Sequence, residues 1–233
     1  MFNSFNLLEK TMLVVHHLNN SRSQRVLWAL EEFGVPYEVK RYERDSKTNL
    51  APESLKKIHP LGKSPVITDG DITVAESGAI IEYLVQNYAQ EKFKTMPESE
   101  AHRQYLYWLH FAEGTLMPQL LLKIIFEKIE KAPMLFFAKP IAKKIVRKVM
   151  KGYVGPNIIA NFDFIEGHLE NNEWFAGDQI SGADIQMSFP LEAWASKNKK
   201  NKHYPKIIAY VERFQSRPAY QKALSTGGEY DYA

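Results

Sequence analysis

The residues best suited to chemistry gather in one short loop. His59-Pro60-Leu61-Gly62-Lys63-Ser64-Pro65-Val66 places two prolines, a glycine and a lysine ahead of an apolar run. A proline at a strand entrance has no N–H to give to a ladder, so the chain bends there. Such a bend would leave the backbone groups of Ser64 and Val66 free to pair with something extended, such as a peptide. Lys63 adds a positive charge to the same edge. The loop therefore reads as a docking place for a small anionic peptide.

Three helix starts carry further polar groups. Ser21, with Gln24 three residues on, has the spacing of a capping box. Glu76-Ser77 stands directly ahead of an apolar helix, and Ser181-Gly182-Ala183-Asp184 opens another. Each is adequately explained as a helix cap. The same positions also favour bound anions, because free N–H groups and the helix dipole point outward there.

Other chemistries are excluded or unsupported. The chain has no cysteine, so it has no disulfide, thiolate metal site or cysteine nucleophile. Its seven histidines show no metal-ligand spacing, and no glycine-rich phosphate loop is present. A net charge of +3 on 233 residues does not argue for nucleic acid. No apolar run approaches the roughly 20 residues that span a bilayer. Met1–Lys10 lacks the pattern of a signal peptide and reads as an extension ahead of the first strand.

The elements that must position these groups are legible in order. Met12–His16 is a β-rich apolar run. Val26, Leu27, Leu30 and Phe33 recur at helical spacing, and Gly34 and Pro36 end that helix. Tyr37–Tyr42 alternates as a strand. Pro65–Thr68 and Ile72–Val74 flank Asp69-Gly70 as a hairpin. A helix follows over Gly78–Tyr88. A β-α-β unit demands parallel pairing and the hairpin antiparallel pairing, so the sheet is mixed and four-stranded. Beyond a polar linker the strand signal vanishes. Glu100–Ile129 is a long helical pattern with a kink expected at Pro118. The reading is α/β plus all-α: an extension over 1–10, an α/β domain over 11–90, a linker over 91–99 and a helical domain over 100–233.

The order of these domains and motifs resembles the cytosolic glutathione transferases, whose first domain is thioredoxin-like. The segments that carry the resemblance are Ser21–Glu32, His59–Val66, Ala75–Ile80 and Ser181–Ile185. Their wording is nearest a bacterial and fungal branch of serine-type enzymes. The resemblance covers nearly the whole chain after Lys10. It implies that the bond before Pro65 is cis. It implies that glutathione binds along the Pro65 loop as co-substrate, with no metal. Lys63 would face the glycyl carboxylate, and Val66, with Ser64, would pair with the cysteinyl backbone. Glu76 would hold the γ-glutamyl amine and Ser77 the carboxylate. Ser21, or Asn20 if the turn slips by one residue, would donate to the thiolate.

An apolar electrophile would sit in a cleft between the domains, against Tyr107, Phe111 and Gly114. Asp184 is expected to be a structural cap. The implied protein is a cytoplasmic homodimer active in detoxification, with reduction of organic hydroperoxides as a side activity. The competing reading is a non-catalytic interaction module on the same fold. Lys139, Lys143, Lys144, Arg147, Lys148 and Lys151 form one basic helical face. That face reads as solvated, or as a weak peripheral contact with an anionic membrane.

Overall fold

The computed structural model describes residues 12–48 and 50–233, so the extension expected over 1–10 lies outside the described residues. The fold begins with strand β1 (Leu13–Leu18), helix α1 (Ser23–Phe33) and strand β2 (Tyr37–Tyr42). A short 3-10 turn leads to β3 (Val66–Asp69), β4 (Ile72–Ala75) and α2 (Ser77–Asn87). The sheet order is β2-β1-β3-β4. β1 and β2 are parallel, whereas β3 is antiparallel to both β1 and β4. This is the mixed four-stranded sheet that the pattern predicts.

β1 is buried along almost its whole length, as a central strand covered on both faces must be. α1 turns Val26, Leu27, Trp28, Ala29 and Leu30 inward, all fully buried. Gly34 ends it at φ 70°, where a side chain would be strained, and its N–H closes onto Glu31.

The chain after β4 is helical: α3 (Glu100–Phe111), α4 (Met117–Lys131), α5 (Ala138–Val149), α6 (Gly155–Asn171), α7 (Gly182–Ala195), α8 (Pro205–Gln215) and α9 (Pro218–Gly227). The chain divides into two compact units. The first joins the residues up to Lys94 with Phe214–Ala233, and the second is Thr95–Arg213. Within the first unit α9 packs along α1. Trp28 stacks on Phe214, with ring centroids 5.2 Å apart, and meets Tyr220 edge-on. Gly227 lets this approach happen, because a Cβ there would lie 2.4 Å from Gln24 Oε1.

The break expected at Pro118 takes a particular form. A π turn, Ala112–Leu116, joins α3 to α4 just ahead of the proline. A second π turn, Met150–Val154, joins α5 to α6 just ahead of Pro156. A proline cannot donate to the carbonyl four residues back, and its ring crowds that carbonyl. In both places that residue is a glycine, Gly114 and Gly152. The wider turn relieves the crowding without ending the helix.

Candidate active site

The sheet register brings three candidate segments to one end of the first unit. His16 of β1 pairs with Val66 of β3, and Val66 pairs in turn with Ala75 of β4. Ser21 follows the end of β1, Ser64-Pro65 precedes the start of β3, and Glu76-Ser77 follows the end of β4. Antiparallel pairing of β3 with both neighbours makes these three ends coincide. Ser64 Oγ ties the row together by donating to the His16 carbonyl at 3.0 Å.

The peptide bond between Ser64 and Pro65 is cis. Val66 does not have the backbone freedom that the bend suggests, since it has a strand partner on each side. Ser64, outside the ladder, is the better placed of the two for pairing with an added chain. Lys63 is exposed beside it.

Ser21 is 6% exposed. Its expected capping box with Gln24 is not formed. α1 begins two residues later, at Ser23, and Arg22 is its N-cap without a side-chain hydrogen bond. Ser21 Oγ instead accepts from the Ser23 N–H at 3.2 Å and lies 2.8 Å from Ser23 Oγ. The Gln24 side chain is buried and makes no hydrogen bond. Asn20, at φ 48°, is turned to the C-terminal segment. Its amide donates to Asp231 Oδ2 at 2.9 Å, and its carbonyl oxygen accepts from the Asp231 N–H at 3.0 Å.

Glu76 does not cap α2 with its side chain. It is the N-cap residue at φ 68° and ψ 122°, with its side chain exposed. For a non-glycine residue that conformation costs on the order of 1–3 kcal/mol, and it persists only where the surroundings impose it. Ser77 is buried, and its Oγ accepts from Arg25 Nη2 at 2.7 Å. This link from α1 to the start of α2 has no local sequence signal.

The strand histidines are shielded. Burial, aided by Lys40, lowers the His16 pKa. Burial and Arg41 bring that of His17 down to about 4, against a hydrogen bond to the Gly227 backbone that raises it. Among the described residues no group of three or more His, Asp or Glu side chains is placed to hold a metal ion.

In the second unit Tyr107, Phe111 and Gly114 line one groove of about 570 Å³, together with Arg103, Leu106, His110 and Thr115. The first π turn supplies Gly114 to this groove. Asp184 is fully buried and forms the expected capping box of α7. Its carboxylate also accepts from Phe175 N–H and Tyr210 OH, each at 2.9 Å. Burial still pushes its pKa up to about 6. Glu166 plays a similar part that the sequence does not announce. Its two oxygens accept from the N–H groups of Lys206 and Ile207 at the start of α8, at 2.8 and 2.9 Å.

A mixed β-α-β-β-α sheet unit with a cis-proline ahead of its third strand, followed by a helical unit, defines a class of two-unit, thioredoxin-like proteins. The sequence narrows this to one family. The glutathione S-transferase N-terminal domain profile matches residues 10–86, and the C-terminal domain profile matches residues 132–218. Glutathione S-transferase 3 of Schizosaccharomyces pombe is 39% identical, over 89% of this chain and 85% of its own. Glutathione S-transferase 1 of Saccharomyces cerevisiae is 33% identical, over 94% of this chain and 98% of its own. A solved glutathione S-transferase from Actinobacillus pleuropneumoniae is 35% identical over 91% of each chain, with a TM-score of 0.74. A glutathione transferase from Phanerochaete chrysosporium, solved with oxidized glutathione, shares the fold at a TM-score of 0.72 and 20% identity. The chain belongs to the glutathione S-transferase family.

Proposed function

We propose that this protein joins the thiolate of glutathione to small apolar electrophiles. The observation that carries the reading is the row His16–Val66–Ala75, which gathers the starts of α1, β3 and α2 at one end of the sheet. Family membership supports it, as does the solved relative with oxidized glutathione. Ser77 and the start of α2 suit the γ-glutamyl carboxylate. Glu76, held at positive φ with an exposed carboxylate, suits the amine. The Ser64 backbone suits the cysteinyl part, with Val66 the second candidate there. Lys63 suits the glycyl carboxylate. Ser21 suits the role of hydroxyl donor to the sulfur, since the side-chain amide of Asn20 is engaged by Asp231.

A free thiol with a pKa of about 8.5 is mostly protonated at neutral pH, so donors that favour the thiolate raise the reactive fraction. The enzyme then contributes proximity and charge stabilisation without a covalent intermediate. The apolar groove around Tyr107, Phe111 and Gly114 would hold the electrophile. Residues 11–90 would bind glutathione and residues 100–233 would carry the electrophile site, with 91–99 as the linker. Turnover of chlorodinitrobenzene with glutathione tests the activity, and cumene hydroperoxide tests the peroxidase side reaction. Retention on glutathione-agarose without either turnover would favour the interaction module.

A homodimer acting in the cytoplasm completes the proposal, to be checked by sedimentation and cell fractionation. One surface also favours a peripheral membrane contact. α4 has no buried residue, and Phe136 is 87% exposed beside Phe137. The six cations from Lys139 to Lys151 are exposed on and just after α5, as are Ile141 and Ile145. Co-sedimentation with anionic liposomes at low salt, lost with zwitterionic ones, is the expected result. No binding to either would remove this contact.

A further inference from the structure

The Ser21 hydroxyl is the outer end of a buried hydrogen-bonded chain. Ser21 Oγ lies 2.8 Å from Ser23 Oγ, and Ser23 Oγ lies 2.9 Å from Nδ1 of His17. Ser23 is fully buried and His17 is 3% exposed. Two backbone donors complete the arrangement. The Ser23 N–H donates to Ser21 Oγ at 3.2 Å, and the Leu18 N–H donates to Ser23 Oγ at 3.3 Å. The Leu18 carbonyl, 3.2 Å away, is a further acceptor for the Ser23 hydroxyl.

A hydroxyl has one proton and two lone pairs, so the chain can point only one way at a time. Suppose His17 Nδ1 carries a proton and donates to Ser23. Ser23 then accepts from His17 and Leu18 and donates to Ser21. Ser21 accepts from the Ser23 N–H and hydroxyl, and its own proton is left for a ligand. All four hydroxyl lone pairs are then filled, and the Ser23 proton passes over the Leu18 carbonyl. Suppose instead that Nδ1 is bare and accepts from Ser23. Ser21 must then donate inward to close its contact with Ser23, and it shows a lone pair to the ligand. A lone pair repels a thiolate.

We propose that His17 is a positioning residue, whose Nδ1 proton, acting through Ser23, turns the Ser21 hydroxyl outward to the thiolate. This rests on the reading of Ser21 as the thiolate donor. Three elements face the ring: α1 through Ser23, β2 through Arg41, its partner in the strand register, and the end of α9 through the Gly227 backbone. Arg41 and burial keep the ring neutral near neutral pH, so its one proton must choose between the two nitrogens. The Gly227 backbone oxygen also accepts from the ring and competes for that proton, and a thiolate at the far end of the chain draws it to Nδ1.

The test is the pH profile of kcat/KM for glutathione with chlorodinitrobenzene, in the full chain. Ser23→Ala and His17→Phe should each lower the rate roughly five- to tenfold on the acid side, the worth of one hydrogen bond. Both should converge on the parent at high pH, where the thiolate forms unaided. Ser23→Thr, which keeps the hydroxyl, should restore the parent profile. His17→Asn, whose amide can donate from the Nδ1 position, should recover part of it. In a Ser21→Ala background neither change should shift the profile further. A purely structural role would lower the rate evenly across pH and would overturn the proposal. So would a shift in Ser21→Ala with none in Ser23→Ala. If Ser21→Ala itself leaves the profile unchanged, the reading of Ser21 fails, and the relay fails with it. Should His17→Phe not fold, the contrast of Ser23→Ala with Ser23→Thr decides alone.

Discussion

Arg25 Nη2 donates to Ser77 Oγ across 2.7 Å of buried interior, joining the helix that follows Ser21 to the helix that begins at the γ-glutamyl end of the proposed site. Arg25 is 1% exposed and Ser77 3%. A buried hydrogen bond from a charged group is worth roughly 1.5–3 kcal/mol. Arg25→Met should therefore cost roughly 2–3 kcal/mol of stability and weaken glutathione binding. Ser77→Ala should cost less in stability and as much in binding. Urea unfolding and calorimetry with glutathione measure the two effects, and a variant as stable as the parent would refute the link.

Asn20 and Ser21 are adjacent in sequence but engaged differently. The Asn20 amide holds Asp231 through two hydrogen bonds. Asn20→Ala should leave the pKa of the bound thiol unchanged while exposing the last residues to carboxypeptidase. A thiol pKa that rises in Asn20→Ala and stays fixed in Ser21→Ala would exchange their roles.

The pH dependence of stability has a definite sign. Burial, with Arg41, lowers the His17 pKa from 6.5 to about 4. A base with a depressed folded pKa stabilises fully above its unfolded pKa, and it loses that contribution as pH falls toward the folded value. From about pH 7 to about pH 5 the His17 contribution should fall by roughly 2 kcal/mol. His16 acts in the same direction. Asp184 acts oppositely: its pKa is raised from 3.8 to about 6, so its contribution is full below the lower value and is lost as pH rises through the upper. Urea unfolding of the parent and of His17→Asn at both pH values isolates the first effect. The parent should lose more stability on acidification.

Glu166 accepts from the first free N–H groups of α8 with both oxygens. Glu166→Gln keeps one acceptor and should cost about 1 kcal/mol, and Glu166→Ala about 2 kcal/mol. Thermal unfolding ranks the two. Equal stability of Glu166→Ala and the parent would show that solvent caps α8 as well.

The features legible in the sequence are those built by neighbours. The strand patterns, the Gly34 stop and the Ser181–Asp184 capping box each rest on residues a few positions apart, and all three form. Spacing misled at Ser21 and Gln24. Arg22 takes a helical conformation without capping, Gln24 turns into the interior, and the serine bonds to Ser23 instead. Glu76 likewise has a cap residue's position without its hydrogen bond. What spacing could not reveal joins distant parts of the chain: Arg25 with Ser77, Glu166 with the start of α8, and α9 with α1. Ser23 is a particular case. It stands two residues from the candidate donor, but its meaning depends on His17, which only the fold brings to it.

The most direct measurement is a crystal structure of the protein with glutathione. The account predicts the tripeptide along the Ser64-Pro65 turn, its γ-glutamyl end at Glu76-Ser77 and its sulfur within hydrogen-bonding reach of Ser21 Oγ. A sulfur held elsewhere, or a saturating concentration of glutathione that leaves this end of the sheet empty, would contradict it.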